Sequence, residues 1–221
     1  MIIAIDGPAG AGKSTVTRKL ADRLGFSFLD TGAMYRAVTW AAMDRDVSFS
    51  DQDALLGLAV SIHVAFENDR VLVDGQDVST LIRMPEVTRN VVHVADHVGV
   101  RQRLVELQRQ IASTGNFVCE GRDQGTVAFP DAFCKIYLNA SPQYRAIRRV
   151  EQMEAAGKYV DYDQVIADQN RRDEQDLNRQ VGRLMRAEDA IEVNTDNQSI
   201  ADVVNELERI ARAKIAARTI L

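Results

Sequence analysis

The sequence is poor in the residues from which metal centres, redox sites and disulfide frameworks are built. Its 221 residues include two cysteines, Cys119 and Cys134, and three histidines. The cysteines are far apart in the chain, and the histidines have no partners at metal-ligand spacing. Because both cysteines lie in apolar stretches, we expect buried, reduced thiols. The composition thus argues against a disulfide-stabilised fold and against a C-x-x-C metal or redox site.

A basic net charge and a long apolar run are also missing. The formal net charge is −5, from 27 basic and 32 acidic residues, whereas sequence-independent nucleic-acid binding needs a basic surface. No apolar stretch approaches the roughly 20 residues of a membrane-spanning helix. The first apolar run leads into a glycine-rich motif and does not resemble a secretory signal. We therefore expect a cytoplasmic protein that binds neither nucleic acid nor membrane. We also expect a monomer, although neither charge nor hydropathy determines the oligomeric state.

Short apolar runs alternate with helical patterns along most of the chain, which is typical of an α/β fold with a parallel sheet covered on both faces. We predict five core strands at about residues 1–6, 26–29, 116–120, 134–138 and 190–193. Helices are predicted at about residues 13–24, 31–44, 51–60, 85–96, 98–114, 141–156, 161–179 and 199–217. Residues 61–83 interrupt this alternation with two short strand patterns and turns. We predict a core domain of residues 1–60 and 84–221 that carries a small β insertion at 61–83.

The strongest motif is G-x-x-x-x-G-K-[ST], which follows the first predicted strand and opens the first predicted helix. The pattern is typical of a phosphate-binding loop, in which backbone N–H groups and the helix N-terminus face the phosphates of a nucleoside triphosphate. Its residues, with the threonine that follows, are Gly7, Pro8, Ala9, Gly10, Ala11, Gly12, Lys13, Ser14 and Thr15. In such a loop the lysine reaches the β- and γ-phosphates, and the Ser14 hydroxyl would hold Mg²⁺. The alternative is a glycine-rich turn without a ligand.

Two further clusters follow predicted core strands, at the sheet edge where ligands bind in open α/β folds. Arg36 lies in the first turns of the helix after the second strand and would meet a second phosphate. Arg122 and Asp123 follow the third strand, side by side as donor and acceptor. A capped helix and an ordinary salt-bridged turn are the alternatives, respectively.

A third cluster consists of Arg172, Asp176 and Arg179, whose spacing puts them on one face of a predicted helix. A solvated stripe of ion pairs is the ordinary explanation for such a pattern. However, a phosphate-loop enzyme that acts without a partner protein needs its own arginines around the transferred phosphoryl group. We therefore predict that these residues belong to a mobile helical flap.

Together these motifs resemble those of the bacterial-type cytidylate kinases, in the nucleoside monophosphate kinase family. The resemblance covers nearly the whole chain and rests on GPAGAGKST at 7–15, LDTGAMYR at 29–36, VR at 100–101 with QR at 108–109, EGRDQGT at 120–126 and RRDEQDLNR at 171–179. It implies a P-loop kinase fold, in which a five-stranded parallel sheet is flanked by helices. It also implies a small inserted, β-containing monophosphate-binding domain, and a helical lid at about residues 157–184.

The resemblance also implies the roles of individual residues. The CMP site would contain Thr31, Arg36, Arg101, Arg122, Asp123, Asp176 and Arg179, and the residues of catalysis would be Lys13, Arg122, Arg172 and Arg179. A carboxylate such as Asp123 suits the N4 amino group of cytosine. Val92 occupies a position where relatives often have a serine beside the base.

The implied reaction is ATP- and Mg²⁺-dependent phosphorylation of CMP or dCMP. The acceptor is already an anion, so no general base is needed, and none stands out in the sequence. Two alternatives remain: a kinase for UMP or another small acceptor, and an ATP-binding regulatory module that does not turn over.

Overall fold

The computed structural model describes residues 1–67 and 70–219. The chain divides into two compact units, one formed by Met1–Leu29 with Ala112–Leu221 and the other by Asp30–Ile111. The strands are β1 (Ile2–Asp6), β2 (Ser27–Asp30), β3 (Val64–Glu67), β4 (Arg70–Val73), β5 (Gln76–Asp77), β6 (Phe117–Gly121), β7 (Cys134–Asn139) and β8 (Ile191–Asn194). The helices are α1 (Lys13–Leu24), α2 (Thr31–Asp44), α3 (Gln52–Ser61), α4 (Pro85–Asp96), α5 (Val98–Ala112), α6 (Pro142–Ala155), α7 (Tyr162–Asn178) and α8 (Ile200–Thr219).

The first unit is built on a five-stranded parallel sheet in the order β2-β6-β1-β7-β8. Strand β1 is central and is paired in parallel with β6 and β7, with Asp6 opposite Gly121 on one side and Tyr137 on the other. Its residues are buried from Ile3 onward, because a parallel sheet is covered on both faces. Leu20 of α1 and Leu207 of α8 belong to the same apolar core as this strand. The sheet therefore presents the carboxyl ends of β1 and β6 side by side.

The second unit combines helices α2 to α4 and most of α5 with a small antiparallel sheet of order β3-β4-β5. Helix α2 begins at Thr31 because the side chain of Asp30 accepts a hydrogen bond from the Ala33 N–H, an N-cap that satisfies one of the first unpaired backbone donors. In the small sheet, Val64 is opposite Val73. Helix α4 starts with Pro85 at a position where a missing N–H costs nothing.

The structure confirms the predicted parallel sheet and its five strands, with bounds shifted by one or a few residues. One prediction was wrong: two strands and turns were expected within residues 61–83, but Gln76–Asp77 is a third strand of the small sheet, paired with β4. A single turn of π-helix at Gln124–Ala128 was not predicted either. The separate insertion at 61–83 and the lid at 157–184 stay predictions. No helix in the described part of the chain is both long and apolar enough to span a membrane.

Candidate active site

The glycine-rich motif forms the loop between β1 and α1, as predicted. Gly7 approaches β7 so closely that a Cβ atom at this position would lie 2.0 Å from the Leu138 carbonyl oxygen, and its φ is +152°. Only glycine fits such a contact. The loop ends where α1 begins at Lys13, so the free N–H groups and the positive dipole end of this helix belong to the loop. The local geometry is that of an anion-binding site.

Lys13 is buried and its side chain folds back onto this loop. Its Nζ atom donates hydrogen bonds to the carbonyl oxygens of Gly7, at 2.7 Å, and Pro8, at 2.8 Å. Burial, followed by the positive charge of Arg122, lowers the pKa of Lys13 from 10.5 to about 7. A triphosphate near this amine would offset both effects, because anions favour the charged form.

Ser14 and Glu120 form an oxygen pair at the start of α1. The Ser14 hydroxyl donates a hydrogen bond of 2.5 Å to Oε1 of Glu120. Glu120 lies near the carboxyl end of β6, next to β1, and is only 4% exposed. Sequence reasoning gave Glu120 no role, because the local pattern does not show that β6 lies beside β1. A hydroxyl and a carboxylate are suitable ligands for Mg²⁺.

Arg122, Asp176 and Arg179 form a connected, largely buried ion-pair cluster. Nε of Arg122 donates to Oδ2 of Asp176 at 2.7 Å, and Nη2 of Arg179 donates to Oδ1 of the same carboxylate at 3.0 Å. Burial alone would raise the pKa of Asp176, but Arg122, Arg179 and Arg172 outweigh it and lower that pKa. Although burial opposes it, Asp176 in turn raises the pKa of Arg122. The cluster gathers positive charge in the unit that contains the phosphate loop.

One detail of the predicted flap face was wrong. Helix α7 ends at Asn178, and Arg179 is its C-cap residue, with φ −58° and ψ 136°. Arg179 is therefore not on the helix face that Arg172 and Asp176 share, and it reaches Asp176 from the segment that leaves the helix. The spacing of seven residues had suggested a continuous helix.

Asp6, at the end of β1, is a buried carboxylate that sequence reasoning read only as the end of a strand. Its two oxygens accept hydrogen bonds of 2.8 Å from the backbone N–H groups of Gln124 and Gly125. Burial raises its pKa to about 6; the two hydrogen bonds act in the opposite direction, and nearby Asp123 adds to the increase. Asp6 thus ties the end of the loop strand to the π-helical turn that begins after Asp123.

Asp123, predicted to face a substrate, is 3% exposed and precedes that turn. Its carbonyl oxygen accepts hydrogen bonds from the N–H groups of Val127, at 2.8 Å, and Ala128, at 3.1 Å. These two hydrogen bonds to one carbonyl oxygen hold the backbone of Asp123 in a defined orientation. The backbone around Asp123 is therefore fixed by hydrogen bonds from the turn that follows it.

In the second unit, Thr31 and Arg36 lie on α2, and Arg101 lies on α5. Nη2 of Arg36 is 3.2 Å from Oδ2 of Asp30, and its Nε atom is buried without a hydrogen-bond partner among the described residues. Arg101 is buried, donates to the Ala95 carbonyl at 3.0 Å, and stacks its guanidinium 5.2 Å from the centre of the Tyr35 ring. The unit therefore holds two arginines that are fixed by neighbouring groups around the start of α2.

Three comparisons with known proteins are consistent with this arrangement. A family model described as cytidylate kinase matches residues 3–213. A cytidylate kinase of Rhodopirellula baltica is 48% identical over 217 residues, covering 98% of this chain and 95% of that protein. A bifunctional pantoate ligase/cytidylate kinase of Gloeobacter violaceus is 45% identical, covering 97% of this chain but only 43% of its own length.

A solved structure supports the fold alone. An uncharacterized protein from Eubacterium ventriosum superimposes with a TM-score of 0.51 at 14% identity, covering 95% of this chain and 96% of that one.

Proposed function

Because the chain belongs to the cytidylate kinase family, we propose that it transfers the γ-phosphoryl group of ATP to CMP or dCMP, which yields CDP or dCDP. The predicted family, P-loop kinase fold and phosphotransferase class are confirmed. The observation that carries the reaction is the charge arrangement of the first unit. There, Arg122 and Asp176 act electrostatically on Lys13, and Asp176 is hydrogen-bonded to both Arg122 and Arg179.

The phosphate loop is proposed to bind the triphosphate of ATP. Its residues are Gly7, Pro8, Ala9, Gly10, Ala11, Gly12, Lys13, Ser14 and Thr15. The backbone N–H groups and the N-terminus of α1 supply donors to the phosphate oxygens. When phosphates are bound, Lys13 exchanges its hydrogen bonds with the loop carbonyls for contacts with the β- and γ-phosphates.

Mg²⁺ fits the residues present in the first unit. This ion usually keeps several waters and takes one or two protein ligands together with substrate phosphates. The Ser14 hydroxyl and the Glu120 carboxylate provide such a pair at the end of the loop, and we propose that they hold the ion. Bound Mg²⁺ would neutralise charge on the β- and γ-phosphates.

The acceptor is proposed to be bound by arginines and polar groups that suit a nucleoside monophosphate. Arg36 and Arg101 of the second unit would bind its phosphate, with Thr31 nearby in sequence at the start of α2. In the first unit, Arg122 would contact the phosphate, and the Asp123 carboxylate would accept a hydrogen bond from the N4 amino group of cytosine. Asp176 would contact the ribose.

Catalysis by these residues is positioning and charge stabilisation. The acceptor phosphate already carries the attacking oxygen as an anion, so no proton has to be removed from it. Lys13, Arg122, Arg172 and Arg179 are proposed to stabilise the negative charge on the transferred phosphoryl group. α7 and the segment after it are proposed to close over the reactants and exclude water, because water would otherwise hydrolyse ATP.

A panel of acceptors tests the proposal. ADP production would be followed with ATP and Mg²⁺ in the presence of CMP, dCMP, UMP, AMP or no acceptor, for the wild type, Lys13→Ala and the control Lys19→Ala, which changes an exposed lysine of the same helix. We expect CMP and dCMP to be the best acceptors, K13A to be inactive and K19A to be normal. A preference for UMP or a metabolite would replace the proposed substrate. ATP binding without product for any acceptor would instead indicate a regulatory module.

A further inference from the structure

Arg145, in the first turn of α6, is a buried arginine that the proposed mechanism does not use. Its side chain is 3% exposed, and its guanidinium contacts three separate segments of the first unit. Nε donates to the carbonyl of Ala140 at 3.0 Å, Nη1 donates to the carbonyl of Ala9 at 2.8 Å, and Nη2 donates to Oδ2 of Asp173 at 2.6 Å. One side chain therefore connects the phosphate loop with α7.

The contact with Ala9 controls the orientation of a peptide group inside the loop. In a trans peptide, the carbonyl oxygen and the next N–H point in opposite directions. A hydrogen bond that holds the Ala9 carbonyl toward Arg145 therefore turns the Gly10 N–H away from Arg145. A loop that binds anions through N–H groups needs its carbonyls turned outward and paired with a donor. Arg145 supplies that donor.

The same region is tightly packed around Gly10. A Cβ atom at Gly10 would lie 3.4 Å from Cβ of Arg145 and 3.4 Å from Oε1 of Gln169, and the φ of this glycine is +78°. The loop, α6 and α7 thus approach one another at a point where no side chain is present. A displacement of α7 would therefore change the packing around the loop at Gly10.

The contact with Asp173 holds α7. Gln169, one turn earlier on α7, donates through Nε2 to the carbonyl of Pro142 at 3.1 Å, so two successive turns of α7 are attached to the start of α6. The other carboxylate oxygen of Asp173 is buried and accepts no hydrogen bond from the residues that the structure describes. The negative charge of Asp173 is therefore balanced directly by its ion pair with Arg145.

From these contacts we infer that Arg145 is a positioning residue, paired with Asp173, that transmits the geometry of the occupied phosphate loop to α7. Helix α7 carries Arg172 and leads into Arg179, so its position sets where those arginines stand relative to the loop. The inference rests on the proposed phosphoryl transfer for its effect on rate. Its effect on the helix can be measured without turnover.

Arg145→Lys, Asp173→Asn and the double variant test the pairing. Lysine keeps the charge but cannot bridge two acceptors with the planar fork of arginine, and asparagine keeps the shape of Asp173 without its charge. The matched control is Arg148→Lys, because Arg148 lies on the same helix, one turn later, and donates to the hydroxyl, at 2.9 Å, and to the carbonyl of Thr195, which is not a loop residue.

Steady-state kinetics provide the first measurement. We expect kcat to fall about 10- to 100-fold in R145K and D173N, as for a misplaced reacting group, with the KM for CMP changed less than about threefold. The double variant should be no slower than R145K, since both substitutions remove the same connection. R148K should retain wild-type kcat. Equal losses in R145K and R148K, or additive losses in the double variant, would overturn the inference.

Hydrogen exchange of the peptides covering residues 162–178 provides the second measurement, with MgATP added to the free protein. ATP should slow exchange in the wild type and in R148K. In R145K and D173N, ATP should still bind but leave exchange in α7 unchanged. Preserved slowing in those two variants would contradict the coupling. If the wild type transfers phosphoryl to no acceptor, the proposed function fails, and this exchange result still decides the inference.

Discussion

The hydroxyl of Ser14 and the carboxylate of Glu120 are joined by a hydrogen bond of 2.5 Å, although the two residues are 106 positions apart in the chain. This contact exists because β6 lies beside β1 in the sheet, so that the end of β6 faces the start of α1. A short hydroxyl–carboxylate pair next to a phosphate loop provides the two protein oxygens that a magnesium–nucleotide complex needs.

Replacing Glu120 with glutamine should weaken the binding of Mg²⁺ at this site. The amide keeps the size of the side chain but removes the negative charge that attracts the ion. We expect the Mg²⁺ concentration for half-maximal rate to rise about tenfold or more, since carboxylates are the preferred protein ligands. Initial rates over a Mg²⁺ titration at fixed ATP measure this. Glu192→Gln, at an exposed position on β8, is the control, and an unchanged Mg²⁺ dependence in E120Q would remove Glu120 from the metal site.

The sequence predicted the parts of the fold that local pattern determines. The strand-loop-helix unit around Lys13 was predicted correctly because its apolar run, glycines and helical spacing are contiguous. The N-cap at Asp30 is local in the same way, because the side chain accepts its hydrogen bond from Ala33 within one turn. The candidate residues Arg122 and Asp176 were proposed from short motifs, and the structure brings them into direct contact.

Contacts between distant segments were not predictable in this way. Glu120, Asp6 and Arg145 each lie in an ordinary local pattern, a strand end or a helix start. Their importance depends on the order of strands in the sheet and on the packing of α7 against α6. The position of Arg179 after the end of α7 shows the same limit, since helix termini depend on capping and tertiary contacts that periodicity does not contain.

Replacing Asp176 with asparagine should destabilise the protein. Its carboxylate contacts both Arg122 and Arg179 in a largely buried place, and asparagine would remove the negative charge that compensates these two guanidinium groups. We expect a loss of about 3 kcal/mol in the free energy of unfolding, together with a lower kcat. Urea unfolding measures the first effect, and the acceptor assay measures the second.

Asp168 of the same helix provides the matched control for Asp176. It pairs with Arg171 at 2.5 Å, but both side chains are more than half exposed. An exposed pair contributes little, so Asp168→Asn should change the free energy of unfolding by less than about 1 kcal/mol. Equal effects of D176N and D168N would show that the buried cluster has no special energetic role.

Binding of ATP should draw a proton onto Lys13 above neutral pH. In the free protein burial and Arg122 hold the pKa of Lys13 near 7, so the amine is largely neutral at pH 8 and largely charged at pH 6. Bound phosphates favour the charged form and raise this pKa. Proton uptake on MgATP binding should therefore approach one per site at about pH 8 and vanish near pH 6.

Calorimetric titrations in buffers with different ionisation enthalpies measure this uptake. Lys13→Arg is the reference, because a guanidinium stays charged over this range and so isolates the contribution of the lysine from that of the nucleotide. If the wild type and K13R take up the same number of protons at pH 8, then the pKa of Lys13 is not depressed.

Asp6 should make stability depend on pH in the direction opposite to that of most paired carboxylates. Its pKa is about 6 in the folded protein and 3.8 ordinarily, so between these values the folded state binds more proton than the unfolded state. The free energy of unfolding contributed by this group is therefore largest below about pH 4 and falls as pH rises to about 6, by up to about 3 kcal/mol. Above that pH its contribution is constant.

The difference in the free energy of unfolding between wild type and Asp6→Asn separates the contribution of Asp6 from that of all other titrating groups. Asparagine does not ionise and can accept only one of the two backbone hydrogen bonds from Gln124 and Gly125, so D6N has a constant offset that does not change with pH. Urea unfolding of both proteins between about pH 4 and 6.5 should show the wild type losing stability relative to D6N as pH rises. A difference that grows in favour of the wild type with rising pH would mean that the two backbone N–H groups outweigh burial and depress the pKa of Asp6.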